Sequence, residues 1–272
     1  MSAIDIQNLS RDYGGGKGIF DVSISVDKGE VFGFLGPNGS GKTTTIRHLM
    51  GFIKPKVGSC QINQMDCWKK RDEIQKSLGY IPGEISFFDD MTGKEFLRFI
   101  SEYRSLKRNN RMSEMIERFE LDPKHKIKKM SKGKKQKLGI VPAFMHDPDI
   151  LILDEPTSGL DPLMQNRFIE LMAEEKKKGK TIFLSSHMFE EVERTCDRIG
   201  IIRNGKLVTV DSVETLRKRH MRSYTVHLDT PEEAEAFAKD FDGICTDNSV
   251  TVTAKRGLET IFMDYYGGDD HA

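Results

Sequence analysis

Gly36-Pro-Asn-Gly-Ser-Gly-Lys-Thr43 is the segment that decides the fold of this 272-residue chain. It fits the pattern Gly-x-x-x-x-Gly-Lys-Ser/Thr, and the apolar run Val31–Leu35 just before it is typical of a buried parallel strand. The glycines let backbone N–H groups wrap a phosphate, and the helix predicted to begin at residue 43 adds positive potential there. The segment therefore predicts a nucleoside triphosphate site between a strand and a helix.

Two side chains of this loop are expected to contact the nucleotide directly. Lys42 is predicted to reach the β- and γ-phosphates of the nucleotide, and the Thr43 hydroxyl is predicted to ligate Mg²⁺. The candidate nucleotide-binding residues of the loop are Gly36, Pro37, Asn38, Gly39, Ser40, Gly41, Lys42, Thr43 and Thr44.

A second motif, Ile150-Leu-Ile-Leu-Asp-Glu155, places two acids at the end of a predicted buried strand. An aspartate at this point, Asp154, can hold Mg²⁺ through water, and the adjacent Glu155 can act as general base toward an attacking water. The alternative is an ordinary strand followed by a polar turn.

Apolar runs at 77–81, 150–153, 181–184 and 198–202 alternate with helical segments such as 43–51 and 162–178. Such alternation predicts an α/β fold with a mainly parallel sheet. Short strands are also predicted at 4–8 and 20–26. Helical periodicity between about 84 and 140 predicts a helical insertion into this sheet domain.

After residue 211 the pattern changes to a mixture of short helices and strands. Helices are predicted at 212–219, 231–240 and 258–266, and strands at 224–228 and 249–253. The predicted fold is thus a P-loop NTPase core sheet over residues 1–211, with the helical subdomain at about 84–140, and a small C-terminal α+β appendage over 212–272.

The composition suits a water-soluble globular chain, with 37% hydrophobic and 31% charged residues. No apolar run approaches the roughly 18 residues that span a bilayer, and the N-terminus does not resemble a signal peptide, so we expect a cytoplasmic chain. Its four cysteines show no paired spacing, which indicates reduced thiols and no zinc site.

Charge is balanced overall, with 42 Lys+Arg against 42 Asp+Glu, so no global field attracts nucleic acid. Residues 124–137 nevertheless contain many lysines and no acid. This segment is either a solvated face or a local anion-binding patch.

Together these motifs resemble those of the ABC ATPase family, over roughly residues 3–210. Met130-Ser-Lys-Gly-Lys134 stands where that family has its LSGGQ signature, and Ser158-Gly-Leu-Asp161 is similar to its D-loop. His187, which follows Leu184-Ser-Ser, is similar to its switch histidine, and Tyr13 matches the aromatic residue that stacks on adenine. None of these residues would by itself indicate the ABC ATPase family.

The resemblance implies roles for particular residues. Ser131 and Gly133 of the signature would contact ATP held by the opposite subunit, and His187 would donate to a γ-phosphate oxygen. Asp161 of the D-loop is a further candidate nucleotide-binding residue. The candidate catalytic residues are therefore Lys42, Glu155 and His187.

The signature and the Q-loop depart from the family pattern. Lys132 and Lys134 replace a glycine and a glutamine of the signature, which is expected to strengthen attraction to phosphate. Gly83 stands where relatives carry the Q-loop glutamine, and Glu84 follows it. Glu84 is either a substitute Mg²⁺ ligand, alongside Thr43 and Asp154, or part of a structural turn.

The resemblance further implies an ATP-hydrolysing subunit that works as a homodimer or heterodimer, with Mg²⁺, on the cytoplasmic face of the membrane. A separate transmembrane permease would move the substrate. Tyr80-Ile-Pro-Gly-Glu84, Phe87-Phe-Asp-Asp90 and Leu258-Glu-Thr-Ile-Phe262 look like bacterial export-type ATPases of the drug, antibiotic and peptide resistance group. The aromatic residues that follow Ile85 are either core or an exposed patch for a permease helix.

Two other classes of protein fit the sequence less well. A non-transport ABC ATPase of ribosomes or DNA usually carries two cassettes or long coiled coils, and neither is present in the sequence. A phosphate-loop kinase for a small metabolite would lack the motifs of residues 130–161. We therefore expect a transport ATPase with no nucleic-acid partner.

Overall fold

The computed structural model describes residues 2–88, 90–106, 110–219, 221–241 and 243–255. Contacts divide the chain into two compact units, Met1–Val210 and Asp211–Ala272. The strands of the first unit are β1 (Ser2–Asp12), β2 (Gly18–Asp27), β3 (Val31–Leu35), β4 (Val57–Ile62), β5 (Met65–Asp66), β6 (Leu78–Ile81), β7 (Ile150–Asp154), β8 (Thr181–Ser186), β9 (Arg198–Arg203) and β10 (Lys206–Ser212), the last of which ends just beyond the boundary.

The helices of the first unit begin with α1 behind the phosphate loop. They are α1 (Lys42–Leu49), α2 (Arg71–Ser77), α3 (Gly93–Tyr103), α4 (Arg111–Arg118), α5 (Lys132–Phe144), α6 (Pro162–Lys177) and α7 (Phe189–Thr195), with a 3₁₀ turn at Ile127–Lys129. No helix among the residues described is both long enough and apolar enough to cross a bilayer.

A six-stranded sheet in the order β10-β9-β3-β8-β7-β6 forms the centre of this unit, and the predicted α/β fold is confirmed. The pairs of β3 with β8 and β9, and of β7 with β6 and β8, are parallel. Every residue of β3, β7 and β8 is buried, which explains the continuous apolar runs 31–35, 150–153 and 182–184 within them. Because β8 lies between β3 and β7, the segments that follow these three strands meet at one edge of the sheet.

The strands predicted near 4–8 and 20–26 exist, but they do not extend the parallel sheet. They are β1 and β2 of a separate four-stranded sheet, ordered β2-β1-β4-β5, whose pairs are antiparallel. Apolar residues of this sheet, such as Ile4 and Ile24, share one core with Ile46 of α1 and Phe183 of β8. The two sheets therefore enclose the helix that follows the phosphate loop.

The helical insertion contains α3, α4 and α5. It begins with a capping box at Thr92 and Glu95, and α5 continues past the predicted end at 140 to Phe144. Arg118 pairs with Glu174 at 2.7 Å, and Arg111 pairs with the buried Glu175, so α4 is joined to α6 of the core by charged contacts.

The second unit contains α8 (Val213–Arg219), β11 (Met221–His227), α9 (Pro231–Asp240), β12 (Ile244–Thr246) and β13 (Ser249–Lys255). Its three strands form an antiparallel sheet in the order β11-β13-β12, and Thr230 caps α9. The helix predicted at 258–266 lies outside the described residues. None of the candidate nucleotide-site residues belongs to this unit.

Candidate nucleotide-binding and hydrolysis site

The phosphate loop connects β3 to α1, and backbone hydrogen bonds fix it to its neighbours. The Gly36 N–H donates to the Ser186 carbonyl at 3.2 Å, and the Gly205 N–H donates to the Ser40 carbonyl at 2.9 Å. Gly41 has a φ of +113°, and a Cβ at this position would lie 2.6 Å from a methyl of Ile19. Only glycine fits the last turn before Lys42.

The Lys42 side chain is buried and turns back into its own loop. Its Nζ donates to the carbonyl of Gly36 at 2.7 Å and to that of Pro37 at 3.1 Å, and it lies 3.2 Å from Glu155 Oε1. A positive charge is therefore held at the centre of a glycine-rich loop, and backbone N–H groups of such a loop are suited to bind an anion.

Glu155 follows β7 in a left-handed conformation, with a φ of +48°. Its N–H donates to the Ser185 carbonyl at 3.1 Å, which attaches this turn to β8. Glu155 Oε2 lies 3.2 Å from His187 Nδ1, while Oε1 faces Lys42. The fold thus brings together the three predicted catalytic residues, which are far apart in sequence.

Asp154 is completely buried beside this group. Its Oδ1 accepts a hydrogen bond from the Ser185 hydroxyl, whereas its Oδ2 is buried without a hydrogen-bond partner. Burial raises the pKa of the Asp154 carboxyl, and the nearby hydroxyls of Ser185 and Thr43 act in the opposite direction. A buried carboxylate oxygen without a partner, next to a threonine hydroxyl, is a suitable environment for a hard cation such as Mg²⁺.

Gly83, and not Glu84, is the residue that lies against Asp154. A Cβ at Gly83 would stand 3.0 Å from Asp154 Oδ2, so a larger residue there requires a shift of its surroundings. Glu84 is exposed and lines a cleft of about 990 Å³ that also contains Asn38, Thr43, Glu155 and His187. Glu84 therefore borders the same cleft as Thr43, which is another candidate metal ligand.

Tyr13 lines a second cavity of about 460 Å³, together with Gly39, Lys42 and Thr44. The ring is 53% exposed, and the Arg11 guanidinium lies 5.2 Å from its centroid. Arg11 supports the ring by a cation–π contact and leaves ring surface open. Lys17 also lines this cavity, and sequence reasoning gave no signal for either basic residue.

The predicted signature residues lie at the start of α5. Ser131 caps this helix by accepting a hydrogen bond from the Lys134 N–H, and a Cβ at Gly133 would lie 2.7 Å from the Gly159 carbonyl. Asp161 caps α6 by accepting from the Met164 N–H at 3.0 Å. The signature turn therefore packs closely against the D-loop of the same chain.

Two further residues connect the motifs and were missed by sequence reasoning. Gln136 in α5 is buried and donates to the Pro156 carbonyl at 2.7 Å, which ties the signature helix to the segment after Glu155. Ser185 binds Asp154 through its side chain and Glu155 through its backbone. The sequence does not identify Gln136 and Ser185 as functional, because only the fold places them beside Asp154 and Glu155.

Comparison with known proteins supplies independent information. A family model described as ABC transporter matches residues 19–158. The bacitracin transport ATP-binding protein BcrA of Bacillus licheniformis is 37% identical over 236 residues, which cover 85% of this chain and 76% of BcrA. The linearmycin resistance ATP-binding protein LnrL of Bacillus subtilis is 33% identical over 254 residues, which cover 92% of this chain and 82% of LnrL.

A solved structure described as the ATP-binding subunit of an ABC transporter is also similar to this chain. The two superimpose with a TM-score of 0.73 at 32% sequence identity, and the match covers 80% of this chain and 93% of the other. The likeness extends over most of the solved subunit.

Proposed function

Because this chain belongs to the ABC transporter family of ATP-binding proteins, we propose that Lys42, Glu155 and His187 form its hydrolytic centre. The chain binds ATP and hydrolyses it to power transport. The observation that carries the proposed centre is the placement of Glu155, whose two carboxylate oxygens face Lys42 and His187, each at 3.2 Å.

When ATP enters, the Lys42 ammonium exchanges the Glu155 carboxylate for oxygens of the β- and γ-phosphates. Glu155 is then free to accept a proton from the attacking water. The water oxygen forms a bond to the γ-phosphorus, and the bond from that phosphorus to the bridging oxygen breaks, which yields ADP and inorganic phosphate. His187 donates to a γ-phosphate oxygen and stabilises the charge there.

Three side chains are proposed to hold Mg²⁺. They are Thr43, Asp154 acting through water, and Glu84, which takes the place of the family glutamine because a side chain at Gly83 would press against Asp154. The bound ion would neutralise phosphate charge. Tyr13 is proposed to stack on the adenine base, with Arg11 behind the ring.

We further propose that two copies, or this chain and a related one, sandwich two ATP molecules. Ser131 and Gly133 of one subunit would meet the phosphates held by the loop of the other, with Asp161 beside them. Ser131 supports this role because it stands at the N-terminus of a 13-residue helix, where backbone N–H groups favour an anion.

The proposed docking surface for the permease is an exposed aromatic cluster formed by Phe88, Phe99 and Tyr103. These residues are 55%, 40% and 80% exposed. Ring centroids lie 5.7 Å apart for Phe88 and Phe99, and 6.4 Å apart for Phe99 and Tyr103. Phe87 instead packs against Phe96. Of the two neighbouring aromatic residues, Phe87 is therefore structural and Phe88 is available to a partner. Such docking would hold the chain at the cytoplasmic face of the membrane.

The proposed transport reaction is export of a drug or peptide antibiotic, because the relatives reported above are named for bacitracin transport and linearmycin resistance. To test this proposal, the chain is expressed with its transmembrane partner in sensitive cells. Resistance conferred by the wild type is compared with resistance conferred by Glu155→Gln. The wild type should raise the inhibitory concentration of bacitracin or linearmycin, and the variant should not. Equal sensitivity of both strains to both compounds would refute this choice of substrate class.

A further inference from the structure

Glu191 is a buried carboxyl group that the proposed mechanism does not use. It lies in α7, four residues after His187, and is only 4% exposed. Its Oε2 accepts a hydrogen bond from the Ser186 hydroxyl at 2.6 Å, while its Oε1 is buried without a hydrogen-bond partner. Isolated buried carboxyls are costly, so this position calls for a physical explanation.

Ser186 connects Glu191 to the switch histidine. Its hydroxyl oxygen accepts from the Met188 N–H at 2.9 Å, and its carbonyl accepts from the Gly36 N–H at 3.2 Å. These contacts fix the backbone on both sides of His187. The Ser186 hydroxyl has two acceptors within reach, Glu191 Oε2 at 2.6 Å and the Met188 carbonyl at 3.3 Å. The shorter contact is the one to Glu191, so this carboxylate helps to define where the imidazole is held.

On its other side Glu191 approaches the segment that leads into the D-loop. Thr157 is buried, precedes Ser158 directly, and has its hydroxyl close enough to favour the ionised form of Glu191 and so to lower its pKa. Both residues line a cavity of about 260 Å³ that also contains Gln165, Met188 and Arg194. One buried carboxyl thus lies between the loop of His187 and the segment that follows Glu155.

We propose that Glu191 is a positioning residue for ATP hydrolysis, which holds His187 beside Glu155 through the Ser186 hydroxyl. This inference rests on the proposed roles of Glu155 and His187. An ionised carboxylate accepts hydrogen bonds only, so it directs the Ser186 hydrogen toward itself and leaves a serine lone pair for the Met188 N–H. A protonated carboxyl carries a donor of its own, which competes for the same serine oxygen and weakens this arrangement.

The electrostatic environment makes the carboxyl sensitive to pH near neutrality. Burial raises the pKa of Glu191 to about 7, the charge of Glu155 adds to the increase, and the hydroxyls of Ser186 and Thr157 oppose it. The other charged groups near the cavity are Glu190, which is exposed, and Arg194, which donates to Asn166 at 2.9 Å. The pH response is assigned to Glu191 by comparing variants that change only this side chain.

The experiment measures kcat and KM for ATP between pH 6 and 8.5 in the full-length protein. Glu191→Ala removes the acceptor and should lower kcat about tenfold with little change in KM, as expected for loss of one charge-assisted hydrogen bond that acts on the reaction step. Glu191→Gln carries donor N–H groups, as the protonated carboxyl does, and cannot ionise. It should have the lowered kcat of the wild type at pH 6 and change little between pH 6 and 8, whereas the wild type should gain activity over that range.

The connection through the serine is tested by a double-mutant cycle. Ser186→Ala should lower kcat as Glu191→Ala does, and the double variant should lose little more, because both remove the same contact. Glu190→Gln is the matched control, since it makes the same chemical change one residue away on an exposed side chain, and it should behave as wild type.

Three results would overturn the inference: wild-type kcat in Glu191→Ala, an unaltered pH profile in Glu191→Gln, or fully additive effects of the Ser186 and Glu191 substitutions. Circular dichroism and binding of a fluorescent ATP analogue check that each variant is folded. If Glu191→Ala does not fold, the Gln variant and Ser186→Ala still decide the question. Glu155→Gln is measured in parallel, and normal turnover in that variant would refute the proposed hydrolytic centre itself.

Discussion

The Lys42 ammonium lies 3.2 Å from Glu155 Oε1, so the proposed phosphate-binding cation and the proposed general base are already paired with each other. Both are partly or fully shielded from solvent, with side-chain exposures of 4% and 22%. In the proposed mechanism ATP separates this pair when it binds. The γ-phosphate would then replace the Glu155 carboxylate as the partner of the lysine.

Lys42→Ala should reduce ATPase activity about 10²-fold or more and weaken ATP binding, because it removes the charge on the β- and γ-phosphates. Turnover and nucleotide affinity of the purified variant provide the measurement. Lys42→Arg keeps the charge but replaces a compact ammonium with a larger planar group in a buried site, so it should not restore turnover. Near-normal turnover in Lys42→Ala would be incompatible with the assignment.

Glu155→Gln retains the shape of the side chain but removes the base. ATP should still bind, hydrolysis should fall about 10²-fold or more, and an ATP-bound dimer should accumulate on gel filtration. Glu190→Gln serves as a control for removal of an acidic charge elsewhere in the same domain. If the Glu155→Gln variant turns over at the normal rate, another residue must be the base.

Glu84→Ala should raise the Mg²⁺ concentration needed for half-maximal ATPase activity several-fold, because the cleft would lose one carboxylate ligand. Gly83→Gln, which restores the family residue in its usual place, should lower activity, since its Cβ would press against Asp154. The measurement is a Mg²⁺ titration of ATPase activity. An unchanged titration in Glu84→Ala would leave Glu84 as part of a structural turn.

Lys132→Gly combined with Lys134→Gln restores the neutral residues of the signature. ATP-driven dimerisation should weaken, and more strongly at low salt, because charges on exposed side chains are less screened there. Sedimentation with the hydrolysis-deficient Glu155→Gln background gives the dimer affinity. Identical affinities at every ionic strength would mean that these lysines are a solvated face.

Glu191→Gln should stabilise the protein in a pH-dependent manner. The folded state raises the pKa of Glu191 from 4.5 to about 7, so the wild type loses stability as pH rises across this interval, and the loss is complete above about pH 7. The variant lacks this loss. Its free energy of unfolding in urea should exceed that of wild type by on the order of 3 kcal/mol at pH 8 and by much less at pH 5. If the variant and the wild type differ in free energy of unfolding by the same amount at pH 5 and pH 8, the wild type does not lose stability by ionising the buried Glu191.

Strands that are fully buried or that alternate clearly in polarity were predictable, whereas short or weakly patterned elements were not. The apolar runs 31–35, 150–153 and 182–184 are recognisable because every residue of β3, β7 and β8 is buried, and β2 is recognisable from its alternation. β4 begins with an exposed Val57 and Gly58, so its pattern is too weak to recognise, and its hairpin turn at Asn63 and Gln64 lacks the usual glycine. The seven-residue α7 is too short for helical periodicity to identify.

By itself the sequence determined the phosphate loop and the two acids at the end of β7, because their chemistry depends on residue types at short, fixed spacing. The tertiary structure alone decided that Glu155 lies between Lys42 and His187, that Gly83 leaves little room for a side chain beside Asp154, and that Glu191 is buried against Ser186. These relations join residues on separate strands and helices. They depend on the order of strands in the sheet, which places β8 between β3 and β7, and that order arises from packing over the whole domain.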